Sequence, residues 1–365
     1  MREHLANAAW GILDYAAYPM GMLLVAPVIL RNMGAAQYGI WTVATAIISI
    51  GSIVAAGFGD ANIQHVASHR GAGRSDLLLR TVRCMIGINL LLGAALAAIA
   101  WASIPYVARH LALSPAVQRD CMLSLRLACI LICIRTMESV CISTQRGFER
   151  YGAAVRISLT ARLLSLAAAA ALTYQSHRVA TLIAATLACN AAATWLQFKQ
   201  LHKLVPSKAL TPLFDNHTLN ELLRFGAFSW LQAVAAILFG QVDRLYLGVS
   251  YGAVAVSSYA LCVQMAQPAY GIAASGLHFI FPYLAERRAS RAPAGLRRSV
   301  FTAFAGNLLI VAAVSAVLIL FGPGILHALA GKEIAKRSFG VLPIIVMGSA
   351  LVGLNVTATY SLLAL

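Results

Sequence analysis

The chain reads as long apolar runs separated by short polar breaks. Ten runs fall at roughly 8–30, 39–60, 84–106, 120–143, 153–174, 179–198, 225–247, 253–282, 299–321 and 339–361. A hydrocarbon core about 30 Å thick takes about 20 mostly apolar residues per helix, so each run is a membrane-span candidate. The runs are too long for barrel strands and do not alternate with a period of two, which excludes an outer-membrane barrel. The pattern predicts an all-α polytopic membrane protein of about ten transmembrane helices. The longest polar break, from Lys199 to Arg224, contains Pro206, Pro212, Asp215 and Asn216 and follows the sixth run. It divides the chain into an N-terminal six-helix lobe, 1–205, and a C-terminal lobe of about four helices, 206–365. The last run reaches the final residue with no polar tail. Against a six-helix first lobe, the second is expected to be incomplete, and a truncated, non-transporting copy is one expectation for the chain.

The halves share a pattern. Arg31-Asn32-Met33-Gly34 leads to Tyr38-Gly39-Ile40-Trp41, a Gly-rich run and the basic stretch Ser68-His69-Arg70-Gly71. Leu247-Gly248 leads to Tyr251-Gly252, then Tyr259-Ala260, a small-residue run and Glu286-Arg287-Arg288. Internal repeats of this kind are common in transporters, whose sites lie between the repeats.

Composition sharpens the membrane reading. Of 365 residues 60% are apolar and only 11% charged, with a mean hydropathy of +0.77; a soluble domain carries about 25% charged residues. The net charge of +16 does not point to nucleic acid, because the basic residues form neither one patch nor one arm. They sit in short clusters between the runs and make anionic phospholipids the expected partner. With the N-terminus inside, the inner side holds Arg2, the clusters 70–83, 146–156 and 199–224, and 287–298. That is about twice the Lys and Arg of the outer side, loop by loop, so the N-terminus is expected in the cytoplasm of a cytoplasmic (inner) membrane protein.

The seven cysteines include no C-x-x-C pair and read as small apolar fillers. His65 and His69 are four apart but have no nearby cysteine or carboxylate, so they read as interfacial histidines and no metal site is expected. No phosphate-binding loop, H-E-x-x-H or dinucleotide fingerprint occurs. No catalytic residue and no cofactor are expected, and the chain does not read as an enzyme. Any active transport then draws on an ion or substrate gradient, or on a partner's ATPase.

Ionisable groups inside spans are costly, and so are functional candidates. Arg135 and Glu138 fall near the middle of the fourth run, three apart on one helix face. They either hold the bundle together as a pair, or Arg135 binds an anionic substrate while Glu138 orients it or carries a proton. Arg126, nine residues earlier, lies on the opposite face and reads as snorkelling or touching another helix. Arg162, in the fifth run, could share a cationic lining with Arg135. Asp14, one turn before Tyr18 and Pro19, sits beside a bend and is a candidate cation site.

The stretch Pro27-Val28-Ile29-Leu30-Arg31-Asn32-Met33-Gly34 through Tyr38-Gly39-Ile40-Trp41 resembles the start of polysaccharide-transport flippases. So do Phe225-Gly226 through Ser229-Trp230, Gln241-Val242-Asp243-Arg244-Leu245-Tyr246-Leu247-Gly248, and Tyr259-Ala260. The resemblance is to the O-antigen and exopolysaccharide flippases of the multidrug/oligosaccharidyl-lipid/polysaccharide exporter superfamily. It implies two six-helix lobes in a V, a cavity lined mainly by the first, second, seventh and eighth spans, and alternating access. The implied substrate is an oligosaccharide joined through pyrophosphate to a polyprenol, held by a cationic cavity. Polysaccharide polymerase and glycosyltransferases are the implied protein partners. Arg31 and Asp243 fall in matching motif positions, with Arg31 on the substrate and Asp243 in coupling or gating; Arg135, Arg162, Asp14 and Glu138 come from burial alone. A cation-coupled multidrug exporter is the alternative. It predicts acids outweighing bases within the spans, where here arginines outnumber acids.

Overall fold

The computed structural model describes residues 20–112, 114–205, 210–277 and 293–364. Twelve helices occupy them: α1 Met20–Met33, α2 Ala35–Gly57, α3 Gly59–Gly71, α4 Ser75–Leu111, α5 Pro115–Gly147, α6 Tyr151–Leu172, α7 Val179–Leu204, α8 Asn216–Gly240, α9 Val242–Leu277, α10 Pro293–Ala330, α11 Lys332–Ser338 and α12 Val341–Ala364. No strand occurs among the described residues. Among the described residues, six helical stretches are long and apolar enough to cross a membrane, or seven if α11 and the first part of α12, bent by 57° at their junction, form one span; α5 and α8, which hold the fourth and seventh expected runs, are not among them. On α10, Leu309, Leu320 and Phe321 are mostly exposed, a surface suited to lipid and not to water. The protein is an all-α polytopic membrane protein.

The chain forms two compact units. The first takes in residues 28–257 and the second 258–365, with 22–27 grouped with the second. In the first, α5 is the central helix, packed against α2, α3, α4, α6 and α7. Ser114 caps its start, accepting from the Val117 N–H at 3.4 Å, with Pro115 in the first turn. α5 and α7 run parallel, as contacts at three levels show: Asp120 with Val179, Arg135 with Asn190, and Gln145 with Gln197. The Asp120 carboxylate accepts from the Val179 N–H at 2.8 Å. It thereby caps α7 from a neighbouring helix, where the positive end of the helix dipole favours an anion. In the second unit, buried Asn307 of α10 donates to the Gly353 carbonyl and to Thr357 Oγ1 of α12, both at 2.9 Å.

Three boundaries differ from the sequence reading. The basic stretch 68–71, read as a loop, is the end of helix α3. That helix buries Asn62 and Val66 against the end of α5, and Arg70 lies over the Phe148 ring at 5.5 Å. The fourth run is the core of a longer helix of 33 residues. The seventh run, read as 225–247, is broken at Gln241: α8 ends at Gly240, and Asp243, accepting from the Arg244 N–H at 2.8 Å, starts α9. A carboxylate in a first turn offsets the unpaired N–H groups there.

The repeated Tyr-Gly motifs meet in space. Tyr38 is wholly buried and its ring lies 5.8 Å from that of Trp41. Gly39 packs so closely on α9 that a Cβ there would overlap the Ala253 carbonyl. Gly252, the residue before, has φ +80° and kinks α9, a left-handed conformation that suits glycine.

At the other end of the unit the connector 210–215 is tied to α4. The Arg83 guanidinium donates to the Thr211 carbonyl at 2.9 Å and to its hydroxyl at 2.6 Å, and the Leu213 N–H donates to the Arg83 carbonyl at 3.1 Å. Asp215 then caps α8, accepting from the Thr218 N–H at 3.1 Å and its hydroxyl at 2.6 Å. Those two donors hold the Asp215 carboxyl below the ordinary carboxylate range. A lowered folded value means the cap contributes at neutral pH and is lost as pH falls through it. Asp215→Asn is therefore expected to lower the melting temperature at pH 7, with the gap to the parent closing below about pH 4. A gap unchanged in acid would show that the charge contributes nothing.

Candidate functional site

From Leu131 to Gly147 no residue of α5 is exposed, whereas its first half presents Leu123, Arg126 and Ile130 to the surface; the enclosed second half tolerates charge that a lipid-facing helix could not carry. Arg135 Nη1 donates to Glu138 Oε2 at 2.7 Å and to Asn190 Oδ1 at 3.2 Å, and Nε donates to Ser52 Oγ at 3.3 Å. Asn190 Nδ2 donates to the Thr186 carbonyl at 2.7 Å and reaches Ser165 Oγ at 3.5 Å. One guanidinium thus joins α5 to α2 and α7, and through Asn190 approaches α6.

The pair is asymmetric. The Glu138 side chain is 2% exposed, but that of Arg135 is 16% exposed, so the cation reaches the surface of the unit and the anion does not. Glu138 Oε1 is buried without a hydrogen-bond partner. A carboxylate has about four acceptor sites, and leaving one oxygen empty in a low-dielectric interior is costly.

The polar contacts continue along α5. Gln145 Nε2 donates to Gln197 Oε1 at 2.5 Å, and Gln197 Nε2 donates to the Ala154 carbonyl of α6 at 2.9 Å. Asn62 Nδ2 donates to Ser143 Oγ at 2.7 Å and Thr144 Oγ1 at 2.9 Å. These contacts lie toward the end of the unit that carries Arg70, Arg83, Arg146 and Lys199, called here the basic end. Aromatic rings accompany the cations: Arg146 lies 5.8 Å from the Tyr151 centroid and Lys199 3.5 Å from that of Trp195. Such pairs place charge at a membrane interface without stripping it of favourable contacts.

The other sequence-derived candidates are placed as follows. Arg162 lies on α6, half-buried, one turn before Ser165. Arg31 is exposed in the last turn of α1, and Asp243 is half-buried in the first turn of α9. Both are at the end opposite the basic one. Asp14 lies outside the described residues. Arg126 is exposed and its guanidinium lies 5.6 Å from the Trp101 centroid on α4, as expected of a cation contacting another helix. The structure brings Arg135 and Glu138 into contact and sets Arg162 on a neighbouring helix. It adds Ser52, Asn190, Gln145 and Gln197, which the sequence reading did not single out. Their one sequence signal was the seven-residue spacing of the amides Asn190 and Gln197, which puts both on one face of α7.

A model of the family described as "Polysaccharide biosynthesis protein" matches residues 28–337. A search of curated proteins found no match. Among solved structures, the chain is similar to a lipid II flippase, MurJ, in an inward closed conformation, with a TM-score of 0.77 at 12% identity over 96% of this chain and 75% of that one. It is also similar to an inward-facing multidrug resistance MATE family transporter of the MOP superfamily, with a TM-score of 0.73 at 15% identity over 97% of this chain and 84% of that one. A MATE transporter in a bent conformation matches with a TM-score of 0.60 at 15% identity, over 99% and 81% of the two chains. At these identities the likeness is one of fold.

Proposed function

The chain belongs to the polysaccharide biosynthesis protein family, and from that premise we propose that it moves a polyprenyl-pyrophosphate-linked oligosaccharide from the inner to the outer leaflet of the cytoplasmic membrane, by alternating access. The fold shared with a lipid II flippase and MATE transporters supports a transporter. The observation that carries the substrate class is Arg135: a guanidinium in the middle of a core helix, partly exposed, held by one acid and two neutral partners. Glu138 already balances its charge, and the exposed part of the guanidinium has donors to spare for a second anion. A pyrophosphate headgroup supplies the anion, and a glycan supplies a reason for a wet passage, since unsatisfied polar groups cost several kcal/mol each in lipid. In this reading Arg162 and Arg31 add cationic contacts, Asp14 and Asp243 act in coupling or gating, and the N-terminus faces the cytoplasm with the basic end.

A cation-coupled small-molecule exporter is the second reading, favoured by the fold likeness to MATE transporters. The two separate in proteoliposomes. With polyprenyl-pyrophosphate-linked oligosaccharide loaded, the protein is expected to raise access of an impermeant glycan-modifying probe above half of the label. No access beyond protein-free vesicles, combined with pH-driven efflux of a cationic dye, would move the assignment to the exporter.

A further inference from the structure

We infer that Arg135 and Glu138 form an exchangeable ion pair: an anionic pyrophosphate headgroup takes over the Arg135 guanidinium, and Glu138, released from it, takes up one proton through a polar seam between α5 and α7. The inference rests on the substrate reading above and deepens it by naming the coupled ion and its route.

The seam is built from side chains on two parallel helices. On α5, Arg135, Glu138 and Gln145 lie at i, i+3 and i+10, with Glu138 and Gln145 two turns apart on one face. On α7, Asn190, Thr194 and Gln197 lie at i, i+4 and i+7. The two rows are joined at both ends, by Arg135 to Asn190 and by Gln145 to Gln197. Between those joints three buried oxygens have no hydrogen-bond partner: Glu138 Oε1, Thr194 Oγ1 and Gln145 Oε1. Open acceptors in a row are the chemistry of a hydrated proton path. Water or a carboxylic O–H supplies the donors they lack. The row spans about 10 Å from Glu138 to Gln145 at 1.5 Å per residue, and runs toward the basic end.

Charge bookkeeping makes the proton obligatory. With the pair intact, Arg135 and Glu138 are neutral together. When a headgroup engages the partly exposed guanidinium, Glu138 is left as a buried carboxylate with no cation, a state costly enough that such groups neutralise instead. The step is simple: one proton moves from solvent along the seam to a Glu138 carboxylate oxygen, and no bond is made or broken elsewhere. Asn190 and Ser52 keep hold of Arg135 in both states.

Among the described residues, no other nearby group takes over the role. Within α5, Cys141 is the next ionisable residue after Glu138. Facing α5, α2 carries no ionisable side chain except Tyr38, fourteen residues from Ser52. α4 has none from residue 85 to 105, and α7 has only Cys189 between Arg178 and Lys199. α6 contributes Arg162, a cation that stabilises the anionic headgroup; its other two ionisable residues, Tyr151 beside Arg146 and exposed Arg156, lie toward the basic end. On α3, Asp60 is exposed and His65, His69 and Arg70 lie toward the basic end, past the Asn62 contact with Ser143 and Thr144.

The test is binding of farnesyl pyrophosphate to the full chain in detergent, from about pH 7 to pH 8.5, where a terminal phosphate with its last pKa near 6 stays mostly ionised. Uptake of one proton per ligand predicts that affinity falls about tenfold per pH unit. It also predicts alkalinisation of a weakly buffered solution by about one equivalent on binding. Glu138→Gln, which keeps the side chain's shape and an acceptor for Arg135, is expected to bind with a flat profile and no proton uptake. A parent that binds with no pH slope and no proton uptake overturns the inference and leaves the substrate reading standing, as does a Glu138→Gln slope equal to the parent's. A parent that binds farnesyl pyrophosphate at no pH overturns both. Melting curves of parent and variant confirm that both are folded.

Discussion

Arg135→Ala is expected to destabilise the protein by about 3–5 kcal/mol, because it strands Glu138 as a buried carboxylate with no cation. It also removes the links from α5 to Ser52 and Asn190. The decisive comparison is a double change, Arg135→Met with Glu138→Gln. Replacing both members of a buried pair by neutral groups of similar size is often close to neutral, so the double variant should recover most of the lost melting temperature. Flipping is expected to be absent from both variants, since the cation for the headgroup is gone. Recovery of both stability and flipping in the double variant would reduce the pair to a structural brace. Thermal melting in detergent beside the proteoliposome assay reads both quantities.

The second large effect is expected at Gly39. A methyl group there meets the Ala253 carbonyl, which is backbone and cannot rotate away as a side chain could. Overpacking of this kind typically costs 1–3 kcal/mol, occasionally more, and in this case it also pushes against the kink at Gly252. Gly39→Ala is expected to lower the melting temperature and the yield of folded protein. Gly348→Ala, inside α12 with nothing within 4 Å of the added Cβ, is the matched control. There alanine gains roughly 0.5–1 kcal/mol of helix propensity, so one substitution should act with opposite signs at the two glycines. Equal effects at both would remove the close crossing of α2 and α9 as the cause.

What the sequence made legible follows from how strongly each signal is tied to lipid. Long apolar runs locate helices because a bilayer leaves few alternatives. Arg135 and Glu138 stood out because charge within a span is rare. Ser52, Asn190, Gln145 and Gln197 did not, because neutral polar residues barely perturb hydropathy and their meaning is set by a partner on another helix. The end of α3 was read as a loop from its polarity. Packing of Asn62 and Val66 on α5 outweighs that, and packing is invisible to a one-dimensional pattern. The break at Gln241 was missed for a related reason: apolar residues continue through it, and only the Gly240 and Asp243 pair marks the boundary. The Tyr-Gly repeat was visible as two motifs, and that they would touch was not.

The position of α5 has a consequence for how the protein is made. Charged residues at mid-span cost about 2.5–3.5 kcal/mol each on insertion, and α5 carries Arg126, Arg135 and Glu138 within its central run. A helix with that burden enters lipid poorly by itself. Its partners arrive on both sides of it in synthesis order: Ser52 precedes it, while Asn190 and Gln197 follow by more than fifty residues. The helix at the centre of the finished unit is thus the one expected to depend on its neighbours for entry, and insertion of the first unit is expected to be cooperative from α2 to α7.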